Sequence, residues 1–214
     1  RLGFSDAHIA RLRGEEISEI ERRRFEAGLF RIRRRVDTCA AEFEARTPYL
    51  YGSFGDGDEQ PTPRRPIIIL GGGPVRIGQG IEFDACCVEA VAGLRAEGYE
   101  AVMVNCNPET VSTDYDAVDR LHFDPLHAED VLEICAAERP IGVIVQLGGQ
   151  TPLKLAADLE SHGVPIRGTT RDAIDRAEDR GRFAELLDDL GLQQPPGRMV
   201  TSAEEAAAAA DELG

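Results

Sequence analysis

PIIILGGGPVRIGQGIEFD, residues 66–84, decides the fold, because an apolar run, a glycine-rich turn and a helix start follow one another directly. A run without polar alternation is what a strand buried on both faces requires. The helix after the turn places Ile81, Ala85, Val88 and Val91 near 3.6-residue spacing and ends at Glu97-Gly98. Working outward, the alternation continues with strand AVMV (101–104), a helix over 127–138, strand GVIVQ (142–146), a helix over 151–162 and strand VPI (164–166). Strands alternating with helices imply an α/β fold, a parallel sheet covered on both faces. Two helices follow, 171–190, broken near Gly181, and the Ala-rich 202–213.

Upstream, residues 1–47 read as short helices. Ser5 and Asp6 cap a segment carrying Ile9 and Leu12, and Ile17, Ile20 and Phe25 mark a second stripe. Arg22–Arg24 and Arg33–Arg35 resemble a phosphate-binding patch, but Glu15, Glu16, Glu19, Glu21 and Glu26 are interleaved with them. Interleaved charge cancels the field such binding needs, so the arginines read as a solvated helix face. Residues 48–65 read as a linker, since GSFGDGDEQPTPRRP (52–66) combines glycines, acids and prolines and offers few side chains that pack.

The 214 residues hold 24 basic and 39 acidic side chains, a net charge of −15, and residues 67–214 carry the whole excess. So negative a field repels phosphate backbones, which excludes nucleic acid as a partner. No stretch approaches the roughly 18 apolar residues of a membrane span. The start, RLGFSDAHIA, lacks an initiator Met and the layout of a secretion signal. Both ends read as mid-chain, the expectation being a piece of a longer protein. Cys39, Cys86, Cys87, Cys106 and Cys135 form no CxxC pair and have no histidine at zinc-finger spacing. Reduced, packed cysteines in a cytoplasmic protein are the expectation.

The glycine-rich turn occupies the anion-binding position of nucleotide folds, where free amides and a helix dipole face a phosphate. Neither common nucleotide motif is intact. A dinucleotide fingerprint counted from Gly71 puts Arg76 at its last glycine, and Asn105 and Asn107 stand where a ribose-binding acid is needed. A Walker A frame, Gly73 to Gly78, has Gln79 in place of lysine and Gly80 in place of the hydroxyl residue. Two more polar turns, NCNPETVSTDYD (105–116) and QLGGQTPLK (146–154), follow strands at the edge where open parallel sheets bind ligands. From spacing alone they suit a site or passage for small polar molecules, or turn chemistry and nothing more.

In order and spacing, GGGPVRIGQGIEFDACC, VNCNPETVSTDYD, VIVQLGGQTPLKLA and DAIDRAEDRGRF resemble the family of carbamoyl-phosphate synthase large subunits, as does the upstream RVDTCAAEFEA. Arg76, Gly80 and the paired cysteines resemble the second of that family's two duplicated halves. The resemblance implies that residues 1–47 end an oligomerisation domain, that 66–170 form a Rossmann-like pre-ATP-grasp domain, and that 171–214 open an ATP-grasp domain. It implies an ATP-dependent ligase making carbamoyl phosphate from bicarbonate and ammonia for arginine and pyrimidine synthesis, with this half phosphorylating carbamate. It also implies a glutaminase small subunit, the other half of the large subunit and an oligomer of such heterodimers as partners. ATP and Mg²⁺ or Mn²⁺ are the implied cofactors, with the metal ligands beyond Gly214. No catalytic residue is expected in this piece, which alone should be inactive. Arg180 matches an ATP-contacting arginine, and Gly80 and Glu82 match the wall of a carbamate passage. The competing expectations are a non-catalytic nucleotide-binding or regulatory module on the same fold and, less well matched, a dehydrogenase.

Overall fold

β3 (Ile67–Leu70) and β4 (Ala101–Val104) have every residue buried, as their unbroken apolar sequences require. The computed structural model describes residues 2–55, 59–73 and 81–213, with no side chain for Ile81. Its elements begin with α1 (Asp6–Arg13), α2 (Ile17–Glu26), β1 (Ile32–Arg35) and β2 (Tyr49–Ser53). After β3 come α3 (Ile81–Ala96), β4, a 3₁₀ turn (Val111–Thr113), β5 (Arg120–His122), α4 (Ala128–Glu138) and β6 (Gly142–Ile144). α5 (Gln150–Leu153), α6 (Ala156–Ser161), α7 (Arg171–Glu178), α8 (Arg180–Asp189) and α9 (Ala203–Leu213) complete the chain. Residues up to Gly168 form one compact unit and residues from Thr169 a second.

The sheet order is β1-β2-β5-β4-β3-β6, parallel throughout except for the antiparallel β1. Alternation along the strands divides the core. Ile69, Met103 and Leu121 pack with Cys87 and Val91 of α3, while Arg120 and His122 point to the other face and meet Glu138 of α4.

The helical reading of residues 1–47 holds for α1, which Ser5 caps by accepting from the His8 amide, and for α2. It fails at Arg33–Arg35. These lie on β1, whose Arg33 is 3% exposed and pairs with Asp124 at 2.8 Å. Nor is 48–65 all linker, since Tyr49–Ser53 joins the sheet beside β5 and Leu50 is fully buried. A charged strand whose inward arginine meets a distant carboxylate carries no apolar alternation, and this hid it. β5 escaped notice for the same reason. The helix expected over 151–162 is two short ones, and VPI contributes only a single bridge, Ile166 to Val143. The break expected near Gly181 falls at Asp179, which is extended and caps α8 by accepting from the Arg182 amide.

Candidate functional site

The carboxyl ends of β3, β4 and β6 deliver residues 71–73 and the turns over 105–116 and 146–154 to one edge of the sheet. They approach closely there. The Gly71 amide donates to the Val104 carbonyl at 2.9 Å, and a Cβ on Gly71 would stand 2.6 Å from Nδ2 of Asn105. A Cβ on Gly148 would overlap the carbonyl oxygens of Leu70 and Gly71. Only glycine lets these turns touch.

One carboxylate joins them. Asp84, in the first turn of α3, is 1% exposed. Its Oδ1 accepts from Asn105 Nδ2 at 3.0 Å, from the Ser112 hydroxyl at 2.8 Å and from the Gly72 amide at 3.4 Å. Its Oδ2 accepts from the Thr110 hydroxyl at 2.8 Å. Asn105 uses its second N–H on Ser112 and accepts from the Asn107 amide, and Asn107 accepts in turn from the Glu109 amide. A capping box between Thr110 and Thr113 closes the loop.

The spacing of Ile81, Ala85, Val88 and Val91 puts Ala85, not Asp84, on the buried stripe. The stripe is instead Asp84, Cys87 and Val91, and Ala85 is exposed. A lone carboxylate at i, i+3 and i+7 from two buried apolar residues was the signal available.

Of the three residues singled out by resemblance, Gly80 lies outside the described residues. Glu82 is exposed in the first turn of α3, where the helix dipole favours an acid. Arg180 begins α8 in the second unit and lines a groove of about 720 Å³ with Asp188, Gln194, Gly197 and Arg198. Its neighbours are engaged: Arg171 faces Asp175, and Arg176 and Arg182 both pair with Asp172. Among the described residues the Arg180 side chain has no hydrogen bond or ion pair. Glu82 belongs to the first unit and Arg180 to the second.

The chemistry open to the edge is limited. Burial pushes the Cys87 thiol up to about 12, with Asp84 adding to the effect, and burial also raises Cys106. Both stay protonated and are poor nucleophiles. Among the described residues no group of three His, Cys, Asp or Glu could hold a metal ion. A second hollow of about 600 Å³ beside β1 and β2 includes Arg31, which is occupied by Glu129, Asp130 and Glu133. No helix among the described residues is long and apolar enough to cross a membrane.

Residues 63–176 match the family model described as the carbamoyl phosphate synthase preATP-grasp domain. The chain is 57% identical to the carbamoyl phosphate synthase large chain of Ralstonia nicotianae over 99% of its length. It is 59% identical to that of Halomonas eurihalina over 100% of its length. It spans 20% of the length of each of these relatives. Among solved structures it resembles the biotin carboxylase domain of the Hydrogenobacter thermophilus 2-oxoglutarate carboxylase, a protein solved with MgADP, ADP and bicarbonate. The TM-score is 0.51 at 19% identity, over 72% of this chain and 34% of that one. This last likeness is one of fold.

Proposed function

The chain belongs to the carbamoyl phosphate synthase preATP-grasp domain family, and on that premise we propose that its full-length parent makes carbamoyl phosphate. Identity of 57% and more over essentially the whole chain carries the reading. The three polar turns gathered at the carboxyl edge suit it. ATP and bicarbonate give carboxyphosphate and ADP, ammonia displaces phosphate to give carbamate, and a second ATP phosphorylates the carbamate oxygen. The ammonia comes from glutamine, hydrolysed by a small-subunit partner. Carbamate decomposes in water, so a walled passage between the two phosphorylation sites has a physical purpose.

Residues 66–170 are the pre-ATP-grasp domain of the carbamate-phosphorylating half, and 171–214 open the ATP-grasp domain. Gly80 and Glu82 line the passage from the turn and first helical residues after β3. Arg180 offers ATP phosphates a planar, permanently charged fork, and the lack of a side-chain partner among the described residues favours it over Arg171, Arg176 and Arg182. The Mg²⁺ or Mn²⁺ that the resemblance implies would be held by ligands beyond Gly214.

The test supplies full-length protein and its glutaminase partner with ¹³C-bicarbonate, ATP and glutamine, and follows labelled carbamoyl phosphate. Absence of product would leave the regulatory-module reading. Arg180→Ala should slow ATP formation from carbamoyl phosphate and ADP by roughly ten- to a hundredfold, the cost of one charge-assisted contact. It should spare the bicarbonate-dependent ATPase. An unchanged back-reaction would return Arg180 to the solvated surface.

A further inference from the structure

We propose that Asp84 is a positioning residue, a clasp that holds Gly72, just after β3, and the loop after β4 in one arrangement. Through them it governs how well carbamate is kept from water. The second clause rests on the function proposed above.

Packing does not require a carboxylate at this position. Cys87 and Val91 on the same stripe meet Met103 and Leu121, and an apolar residue at 84 would extend that contact without desolvating a charge. What the carboxylate adds is acceptor capacity for neutral donors on separate stretches of backbone: Gly72 after β3, Asn105 just after β4, Thr110 capping the 3₁₀ turn and Ser112 within it. These bonds fix more than the residues that make them. With its amide nitrogen committed to Asp84, Asn105 turns its oxygen to the Asn107 amide, and Asn107 holds the Glu109 amide. The course of residues 105–113 is thereby referred back to one side chain on α3. Asparagine at 84 has the same shape but turns N–H groups toward donors, so at least one donor loses its acceptor.

The experiment compares Asp84→Asn, Ser112→Ala and Val91→Ala in the full-length protein. Val91→Ala opens a cavity on the same stripe without touching the clasp, and so reports a merely structural loss. Two readouts are taken: amide hydrogen exchange of residues 105–116, and ATP consumed per carbamoyl phosphate formed. Asp84→Asn should speed exchange there by roughly tenfold while leaving 101–104 protected. It should also raise ATP consumed per product by about threefold or more. Val91→Ala should do neither. If Asp84→Asn does not fold, Ser112→Ala, which removes one donor, should shift both readouts the same way by a smaller factor. Unchanged exchange and coupling in these variants, or equal changes in Val91→Ala, overturn the proposal. If the wild-type protein makes no carbamoyl phosphate, the functional reading falls while exchange still decides the clasp.

Discussion

Asp84 and Glu138 are both buried carboxylates, the first among the turns of the α3 face and the second on the α4 face of the same sheet. They are held by different means. Asp84 is surrounded by neutral donors, whereas Glu138 meets the Arg120 guanidinium at 2.9 Å and His122 Nε2 at 2.9 Å. Burial pushes the Glu138 carboxyl up, but the His122 hydrogen bond and the Arg120 charge more than offset it and leave it below its ordinary value. His122 itself is depressed by burial, so it stays neutral and donates Nε2–H to the carboxylate. The difference separates two uses of buried charge. Charge against charge on neighbouring elements compensates desolvation within the core. Charge against hydroxyls and amides makes directional demands on loops, and so orders them.

The most severe way to break the comparison is Asn105→Asp. It replaces a donor 3.0 Å from Asp84 Oδ1 with a second carboxylate and places like charges where neither is solvated. The expected cost is about 3–5 kcal/mol, the range for an uncompensated buried charge. Amide exchange at 101–104 in the full-length protein measures it as a local opening free energy. A loss below about 1 kcal/mol would mean that the site admits water and that its donors are not fixed.

Glu138→Gln sharpens the contrast from the other side. It keeps the shape while removing the charge that Arg120 and His122 face, and should cost about 2 kcal/mol. Loss of protection should concentrate in β5 and α4, with residues 105–116 exchanging as in wild type. Asp84→Asn should give the reverse pattern. If both variants loosened the same residues, the two carboxylates would not serve different ends.

The two regions also differ in how far the sequence revealed them. β3, β4, α3 and the edge turns were readable because an apolar run has one use in a parallel sheet and glycines cluster where backbones touch. Even there a one-residue shift of the stripe, Ala85 for Asp84, concealed the residue that joins the turns. A carboxylate on a helix reads as a solvent-facing residue until its donors, 12 to 28 positions away, are seen around it. β1 and β5 were not readable. Their inward residues, Arg33, Arg120 and His122, are polar, and what makes them core is pairing with Asp124 and Glu138 far along the chain. Arg180 stood out only by resemblance. Its freedom from ion pairs is a property of where its neighbours' carboxylates lie.

The smallest expected effect is a pH dependence confined to the α4 face. His122 is fully buried among Glu138, Arg120, Arg33 and Asp124, and burial holds its pKa below the ordinary 6.5. The unfolded chain therefore binds a proton below pH 6.5 that the folded chain refuses, so stability falls as pH drops through that value. One such proton sets a limiting slope of about 1.4 kcal/mol per pH unit. Glu138 acts in a lower window. Its depressed carboxyl contributes stability above its ordinary 4.5 and loses it as pH falls further. His122→Gln should remove the first decline, whereas variants of the Asp84 clasp should leave it. Exchange of the β5 and α4 amides at pH 7.5, 6.5 and 5.5, corrected for the intrinsic pH dependence of exchange, reads the difference. An undiminished decline in His122→Gln would place the titrating group elsewhere, and the neutral His122–Glu138 hydrogen bond would no longer account for the pairing on this face.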